Sequence, residues 1–315
     1  MKDILERLLD GGHLTEDEAA ALLTALAEDR LPGAVAGAFL AGLRLKRETA
    51  DEIRGFARAM RALARRPDLP EGARAVDIVG TGGDGSGSLN LSTGSALLAA
   101  ASGVPVVKHG NRSVSSRCGS ADVLEALGLA LPLDEAAAGE CLRQTGFTFL
   151  FAPHYHPAMK ALVPVRKALG VRTVFNILGP LTNPAEPPFM VVGAFSPQVA
   201  ELMAEALSGL PVNRAFVVHG APGWDEATPC GPFTLFDVRP GSVSEEVRDP
   251  ADYGIERCEP GDLAGGDAAE NAAALRDALT GALGPHRDAL LLGAGLALEV
   301  AGEVATLADG IRSAG

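Results

Sequence analysis

The chain has 315 residues, 47% of them hydrophobic and 21% charged, with a formal net charge of −13 and four cysteines. That length holds one large domain or two smaller ones, and the acidic balance excludes sequence-independent nucleic-acid binding, which needs a basic face, but not a phosphate ligand, which needs only local positive charge. No Cys-x-x-Cys marks a zinc site or a disulfide framework, no run of about 18 apolar residues marks a membrane span, and the charged, amphipathic start Met1-Lys2-Asp3-Ile4-Leu5-Glu6 is not a signal peptide, so the expectation is a soluble cytoplasmic protein with neither membrane nor nucleic acid as partner.

Residues 1–70 read as all-helical. Thr15-Glu16-Asp17-Glu18 is a capping box ahead of an Ala/Leu helix, Leu31-Pro32-Gly33 breaks it, and a second apolar helix covers 34–45. Thr49-Ala50-Asp51-Glu52 is another capping box, opening a helix to about residue 64. Arg65-Arg66-Pro67-Asp68-Leu69-Pro70 then reads as a linker and a domain boundary. A helical unit this small buries too little alone, so its apolar faces are expected against a partner subunit or a second domain.

From Ala75 onward short strands alternate with helices. Strands are predicted at 75–79, 104–107, 147–151, 189–194, 214–219 and 233–238, with helices at 93–102, 134–144 and 197–208. This is an α/β pattern, a mostly parallel central sheet flanked by helices. The segment 152–184 is irregular and proline-marked, with short helices expected within 159–169, and is suited to cross back to the helical domain as a hinge. The tail predicts a helix after Gly266-Asp267, another over 287–300 and a final turn.

Two polar loops leave neighbouring strands at the sheet edge where ligands of such folds bind. The first follows Val79: Gly80-Thr81-Gly82-Gly83-Asp84-Gly85, then Asn90-Leu91-Ser92-Thr93, with a helix starting near Thr93. Glycines let the backbone approach an anion, and the free N–H groups and dipole of a helix start favour negative charge. The second loop, Lys108-His109-Gly110-Asn111-Arg112-Ser113, adds a point cation and a planar fork. Glycines alone would merely mark turns; two such loops together suggest one anion held from two sides.

Trp224-Asp225-Glu226 follows a third apolar strand. Adjacent carboxylates repel unless a cation neutralises them, and oxygen ligands on a loop suit Mg²⁺ bridging to phosphates; the plain alternative is a solvated acidic pair. Arg166 fits either bidentate recognition of a carboxylate or a surface position on a helix. His154 and His156 form His-x-His with no third ligand nearby, so lining a pocket or capping a turn is favoured over a metal. His109 is placed equally well as a substrate contact or as a brace for its own loop. Asp134-Glu135 reads as a helix start.

These motifs carry a resemblance. Gly80–Asp84, Asn90–Thr93, the run from Lys108 through Ser113 to Val114, Ser115 and Ser116, Arg166 in its VRKALG setting, residues 175–184 (FNILGPLTNP) and Trp224-Asp225-Glu226 resemble, in this order, the anthranilate phosphoribosyltransferase family of the nucleoside phosphorylase/phosphoribosyltransferase fold, over essentially the whole chain. The resemblance implies a small helical domain, 1–70, completed by a hinge segment of about 165–182, a large α/β domain, 74–315, and a homodimer through the small domains. It implies that Gly80, Gly83, Asp84, Ser88, Asn90, Leu91, Ser92, Thr93, Lys108, His109, Gly110, Asn111, Arg112, Ser113, Val114, Ser115, Ser116 and Ser120 hold phosphoribosyl pyrophosphate. Ser92, Asp225 and Glu226 would hold Mg²⁺, as two ions. Gly80, Asn111 and Arg166 would contact anthranilate, with His154 lining its path. Cys118 stands where a small polar residue is common in the family, and Leu291-Leu292-Gly293-Ala294 lacks the usual asparagine. No general base is implied, because the aromatic amine is neutral at pH 7. A pyrimidine nucleoside phosphorylase is the nearest rival, but it uses inorganic phosphate and needs no Asp-Glu metal pair. A non-catalytic nucleic-acid-binding relative is disfavoured by the net charge.

Overall fold

The computed structural model describes residues 1–113 and 117–315. Helices α1 (Lys2–Leu9), α2 (Glu16–Ala27), α3 (Gly33–Lys46) and α4 (Ala50–Ala62) form a bundle. Both expected capping boxes are made, Thr15 with Glu18 and Thr49 with Glu52. The second is buried: Glu52 also accepts from Leu14 N–H at 2.8 Å and from Lys46 Nζ at 2.7 Å, so one carboxylate ties α3, α4 and the loop before α2 together. Leu22, Phe39, Leu40 and Phe56 are fully buried inside the bundle. Their cluster runs on without a break through Leu178 and Leu181 into Met190, Val192 and Val217 of the sheet. The apolar face that a bundle this small cannot cover by itself is thus covered by the second domain.

The α/β part contains β1 (Val76–Gly80), α5 (Leu91–Ala101), β2 (Val106–Gly110), α6 (Ser120–Ala126), α7 (Glu135–Thr145), β3 (Phe147–Phe151), α8 (Ala152–Tyr155), α9 (Val163–Leu169), α10 (Phe175–Leu178), β4 (Phe189–Gly193), α11 (Pro197–Ser208), β5 (Arg214–Gly220), β6 (Phe233–Arg239), β7 (Ser242–Arg248), α12 (Ala268–Leu279), α13 (Pro285–Ala301) and α14 (Leu307–Ala314). Among the described residues the sheet order is β3-β2-β1-β4-β5-β6-β7. Pairing is parallel from β3 to β5 and antiparallel at β6 and β7. The far face packs Val76, Ile78, Val106 and Phe216 against α5 and α13 through Ala96, Ala99, Leu292 and Leu296.

Several boundaries differ from expectation. Strand β2 runs through Lys108-His109-Gly110, because these residues pair in register with Phe149, Leu150 and Phe151 of β3. Helix α5 starts at Leu91, two residues before the predicted Thr93, with Asn90 as its N-cap. Strand β7 was not predicted. Its sequence, SVSEEVR, is almost wholly exposed, as a charged edge strand that resists further pairing should be. The final turn is a helix, α14, capped by Thr306.

The chain winds from β1 outward to β3, then returns to place β4 on the other side of β1. That reversal opens a crevice beyond the carboxyl ends of β1 and β4, where ligands of open parallel sheets bind.

Candidate active site

Gly80 and Gly193 end β1 and β4 as register partners, and Thr81 N–H donates to the Gly193 carbonyl at 3.0 Å. Asp225, from the loop after β5, lies directly over them. A Cβ on Gly80 would run into the Asp225 carboxylate, and one on Gly193 into its backbone carbonyl. Two strands must therefore both end in glycine for this acid to sit where it does. The loop beyond Gly80 uses glycine differently: Gly82, Gly83 and Gly85 have φ of 67°, 72° and 78°, which side chains rarely adopt.

The acidic dipeptide joins the loops. Asp225 Oδ2 accepts from Gly82 N–H at 2.6 Å and from Thr81 Oγ1 at 3.3 Å. Its own N–H donates to Asp84 Oδ2 at 3.3 Å. Glu226 Oε1 accepts at 2.9 Å from the N–H of Ser92, one of the free donors of the first turn of α5. Lys108 reaches in from β2, its Nζ donating to the Ile78 carbonyl and, at 3.3 Å, to Ser92 Oγ. Glycine loop, helix start, lysine strand and acidic loop thus meet within hydrogen-bond distance.

Charge is costly here. Burial pushes the Asp225 carboxyl up, with the neighbouring Asp84 adding to it; burial and Asp225 do the same to Glu226. Burial pushes Lys108 down, opposed by Asp77, Glu226 and Asp225. Asp77, within β1, is pushed up to about 6 by burial against the pull of Lys108, and Asn183 Nδ2 holds it at 2.9 Å. One ammonium faces three carboxylates. Among the described residues no three His, Cys, Asp or Glu side chains form a preformed metal cage. Two neighbouring carboxylates and the Ser92 hydroxyl beside a crevice suit instead a hard cation that keeps water and takes phosphate oxygens, as Mg²⁺ does.

The other expected residues fall into two groups. Ser88 bridges to Ala264 and its Oγ lies 3.2 Å from Ser86 Oγ. Asn90 accepts from Asn271 Nδ2 at 2.8 Å and donates to the Cys118 carbonyl at 3.1 Å. Leu91 and Thr93 are buried in α5. Asn111 accepts at its carbonyl from Ser120 Oγ at 3.2 Å, and a Cβ on Gly110 would strike that hydroxyl. Leu91 lines the cavity at the ends of β1 and β4; the others are held by neighbouring loops and helices. Arg112 does not turn toward the acidic pair: its guanidinium is bound to Asp122 at 3.1 Å and to Glu125, both on α6, because an acidic helix face lies nearer than the crevice. Ser113 N–H likewise donates to Asp122 at 3.0 Å. Val114, Ser115 and Ser116 lie outside the described residues.

The histidines separate. His154 Nε2 lies 3.5 Å from Glu135 of α7, and its ring meets Tyr155 edge-on at 5.0 Å. His156 faces His109, ring centroids 5.1 Å apart. Burial pushes His109 down to about 3 and His156 to about 4, so both are neutral at pH 7. The two rings of the His-x-His pair thus face different neighbours. Arg166, on α9, stacks over Phe175 at 5.1 Å.

Two residues carry more than the sequence reading gave them. Arg172 Nη2 donates to the Gly83 carbonyl, its guanidinium stacks 4.3 Å over Phe195, and its own carbonyl accepts from Arg44 Nη1 of α3 at 2.6 Å. It ties bundle, hinge and glycine loop together; a second arginine in the hinge was the available signal. Asn183 joins Asp77 to the Val107 carbonyl at 2.8 Å. A lone aspartate inside an apolar strand was the sign that such a partner had to exist.

A bundle and a parallel sheet meeting over a phosphate-type crevice define a class, and the chain belongs to it: the family model described as "Glycosyl transferase family, helical bundle domain" matches residues 2–64 and "Glycosyl transferase family, a/b domain" matches residues 72–315. An anthranilate phosphoribosyltransferase from Desulforudis audaxviator is 51% identical over 315 residues, 100% of this chain and 90% of the relative. The crystal structure of the Thermus thermophilus anthranilate phosphoribosyltransferase superposes with a TM-score of 0.92 at 45% identity, covering 98% of this chain and 92% of that one. The Saccharomyces cerevisiae anthranilate phosphoribosyltransferase, solved in complex with PRPP and Mg, gives 0.86 at 27% identity over 98% and 91%. Within the class, this chain is a member of the anthranilate phosphoribosyltransferase family, and an enzyme.

Proposed function

We propose that the crevice transfers the 5-phosphoribosyl group of phosphoribosyl pyrophosphate to the amine of anthranilate, releasing pyrophosphate, as a step of tryptophan biosynthesis. The observation that carries this reading is the joining of the glycine loop, the N-terminus of α5, Lys108 and the acidic dipeptide at one point, with Gly82 N–H 2.6 Å from Asp225 and Ser92 N–H 2.9 Å from Glu226. The backbone N–H groups of residues 80–93, with Ser88 and Lys108, would grip the donor's phosphates. Lys108, His109, Gly110, Asn111, Arg112, Ser113, Val114, Ser115, Ser116 and Ser120 would contribute further donors to them, Arg112 leaving its acidic partners on α6 to do so. Two Mg²⁺ ions held by Asp225, Glu226 and Ser92 would neutralise charge growing on the leaving pyrophosphate. Arg166 would fork onto the anthranilate carboxylate, with Gly80 and Asn111 beside the ring and His154 on the approach. Positioning of a neutral amine against the ribose carbon then supplies much of the rate, and no side chain is needed to deprotonate it before attack. A nucleoside phosphorylase has no use for Asp225 and Glu226; the placement of Asp225 over Gly80 and Gly193 and of Glu226 on Ser92 N–H argues for the transferase.

The direct test is loss of anthranilate fluorescence on adding phosphoribosyl pyrophosphate and Mg²⁺; no loss, with nucleoside phosphorolysis instead, would reverse the choice. Arg166→Ala is expected to raise the anthranilate KM by about tenfold or more, the worth of a charge-assisted pair, and the donor KM much less. Equal effects on both would count against the assignment.

The same reading divides the chain near residues 65–73, with the bundle completed by 165–182, and makes the enzyme a homodimer through its bundles. Leu9 and Leu45, 58% and 85% exposed on α1 and α3, and Val163, 56% exposed at the start of α9, support the dimer. Leu45→Arg is expected to shift the species seen by light scattering to a monomer with unchanged helicity; a dimer that tolerates it would put the contact elsewhere.

A further inference from the structure

Among the four cysteines, two meet: Cys230 Sγ and Cys258 Sγ stand 3.8 Å apart. Both are half-buried against the cluster that includes Leu89, Trp224 and Leu263. Each ends a segment that shapes the crevice. Cys230 closes the loop carrying Asp225 and Glu226; its N–H donates to Thr228 Oγ1 at 3.3 Å, and that hydroxyl holds the Ala221 carbonyl at 3.0 Å. Cys258 heads the segment that backs the glycine loop: Leu89 N–H donates to Leu263 O at 2.9 Å, Gly265 N–H to Gly87 O at 2.8 Å, and Ser88 bridges to Ala264. The two sulfurs therefore sit on the seam between the acidic side of the crevice and its phosphate side.

We propose that Cys230 and Cys258 are an oxidative modification site, a dithiol that takes a low-molecular-weight disulfide as its substrate and closes to an internal disulfide across this seam. The Cys230 thiolate attacks one sulfur of the oxidant, the other sulfur leaves and takes a proton, and a mixed disulfide stands on Cys230. The Cys258 thiolate then attacks Cys230 Sγ and expels the second thiol. The two cysteines lose two electrons and two protons, and the oxidant is reduced to two thiols. Burial and the neighbouring Cys230 sulfur push the Cys258 thiol up, which slows its own attack on the oxidant; its attack on Cys230 is intramolecular, across 3.8 Å. A disulfide needs its sulfurs about 2 Å apart, so closure draws the acidic loop toward the backing of the glycine loop. Shifts near 1 Å at a reacting centre cost up to about a hundredfold in rate; closure is expected to lower turnover by about tenfold. That last consequence rests on the proposed function; the thiol exchange does not.

The test treats reduced full-length enzyme with glutathione disulfide. The expected result is loss of two of the four titratable thiols, a mass lower by two hydrogens, a peptide linking Cys230 to Cys258, and a fall in anthranilate turnover that dithiothreitol reverses. Cys258→Ser should stop at a glutathione adduct on Cys230. Retention of the adduct on the unmodified chain, a bond to Cys118 or Cys141, or no thiol loss would each overturn the proposal, and a Cys230–Cys258 bond with unchanged turnover would overturn its effect on the crevice. Enzyme inactive before the oxidant is added marks failure of the proposed reaction alone, because mass and peptide mapping still decide the thiol chemistry.

Discussion

Asp225→Asn combined with Glu226→Gln is expected to remove nearly all turnover while making the metal-free protein more stable. Asp225 is buried over the ends of β1 and β4 and Glu226 is held at the start of α5, both beside Asp84 and with Lys108 as the neighbouring ammonium. Their folded pKa values lie above the unfolded ones, so their stabilising contribution is complete below the unfolded values of 3.8 for Asp225 and 4.5 for Glu226 and is lost as pH rises through the folded values, about 7 for Asp225. At pH 8 without metal the ionised pair strains the fold. Amides keep the shape, and most of the acceptor oxygens toward Gly82 and Ser92, without the charge. The variant's gain in Tm should therefore be small at pH 5 and about 5 °C at pH 8, read by scanning calorimetry in chelator. Turnover should fall by about a thousandfold, as when electrostatic stabilisation of a leaving group is removed, and its dependence on Mg²⁺ should vanish. A variant with ordinary metal dependence would contradict the metal role; an equal Tm gain at both pH values would show that ionisation is not the cause.

The parts of the molecule legible in the sequence are those whose signals are local. Thr15 with Glu18 and Thr49 with Glu52 declare helix starts over four residues, and both form. Gly80 followed by Gly82, Gly83 and Gly85 declares a loop with left-handed backbone, and Trp224-Asp225-Glu226 after an apolar strand declares an acidic loop at the sheet edge. The misses are long-range. β7 is a strand because β6 offers it an edge, although its own residues have no buried face. Lys108 and His109 look like loop residues, yet pairing with Phe149 and Leu150 buries both within a strand. Arg112 reads as an anion fork, but two carboxylates on α6 hold it, and nothing in a linear reading ranks those carboxylates above a substrate that is not there. Arg172 contacts residues 89 positions away at Gly83 and 128 away at Arg44, so only the fold reveals its place. The glycine at 193 is the clearest case. Its reason is the Asp225 carbonyl above it, which no inspection of β4 alone could supply.

Lys108→Met should be the most damaging single change, in two separable ways. The side chain is 2% exposed, and its ammonium is the opposite charge nearest Asp77 while also reaching Ser92 Oγ at 3.3 Å. Methionine fills the space but leaves Asp77 buried without its cation, and breaking a buried pair from one side costs about 3–5 kcal/mol, measurable as a lower midpoint in urea. Adding Asp77→Asn removes the orphaned charge while keeping an oxygen for Asn183 Nδ2, now at 2.9 Å from Asp77. The double variant should recover most of the lost stability, so the two changes are strongly non-additive. Turnover should not return with it. If Lys108 serves the donor's phosphates, kcat/KM for phosphoribosyl pyrophosphate stays at least about a hundredfold down, the worth of about 3 kcal/mol from a charge-assisted contact. If Lys108 serves only to neutralise Asp77, activity and stability recover together.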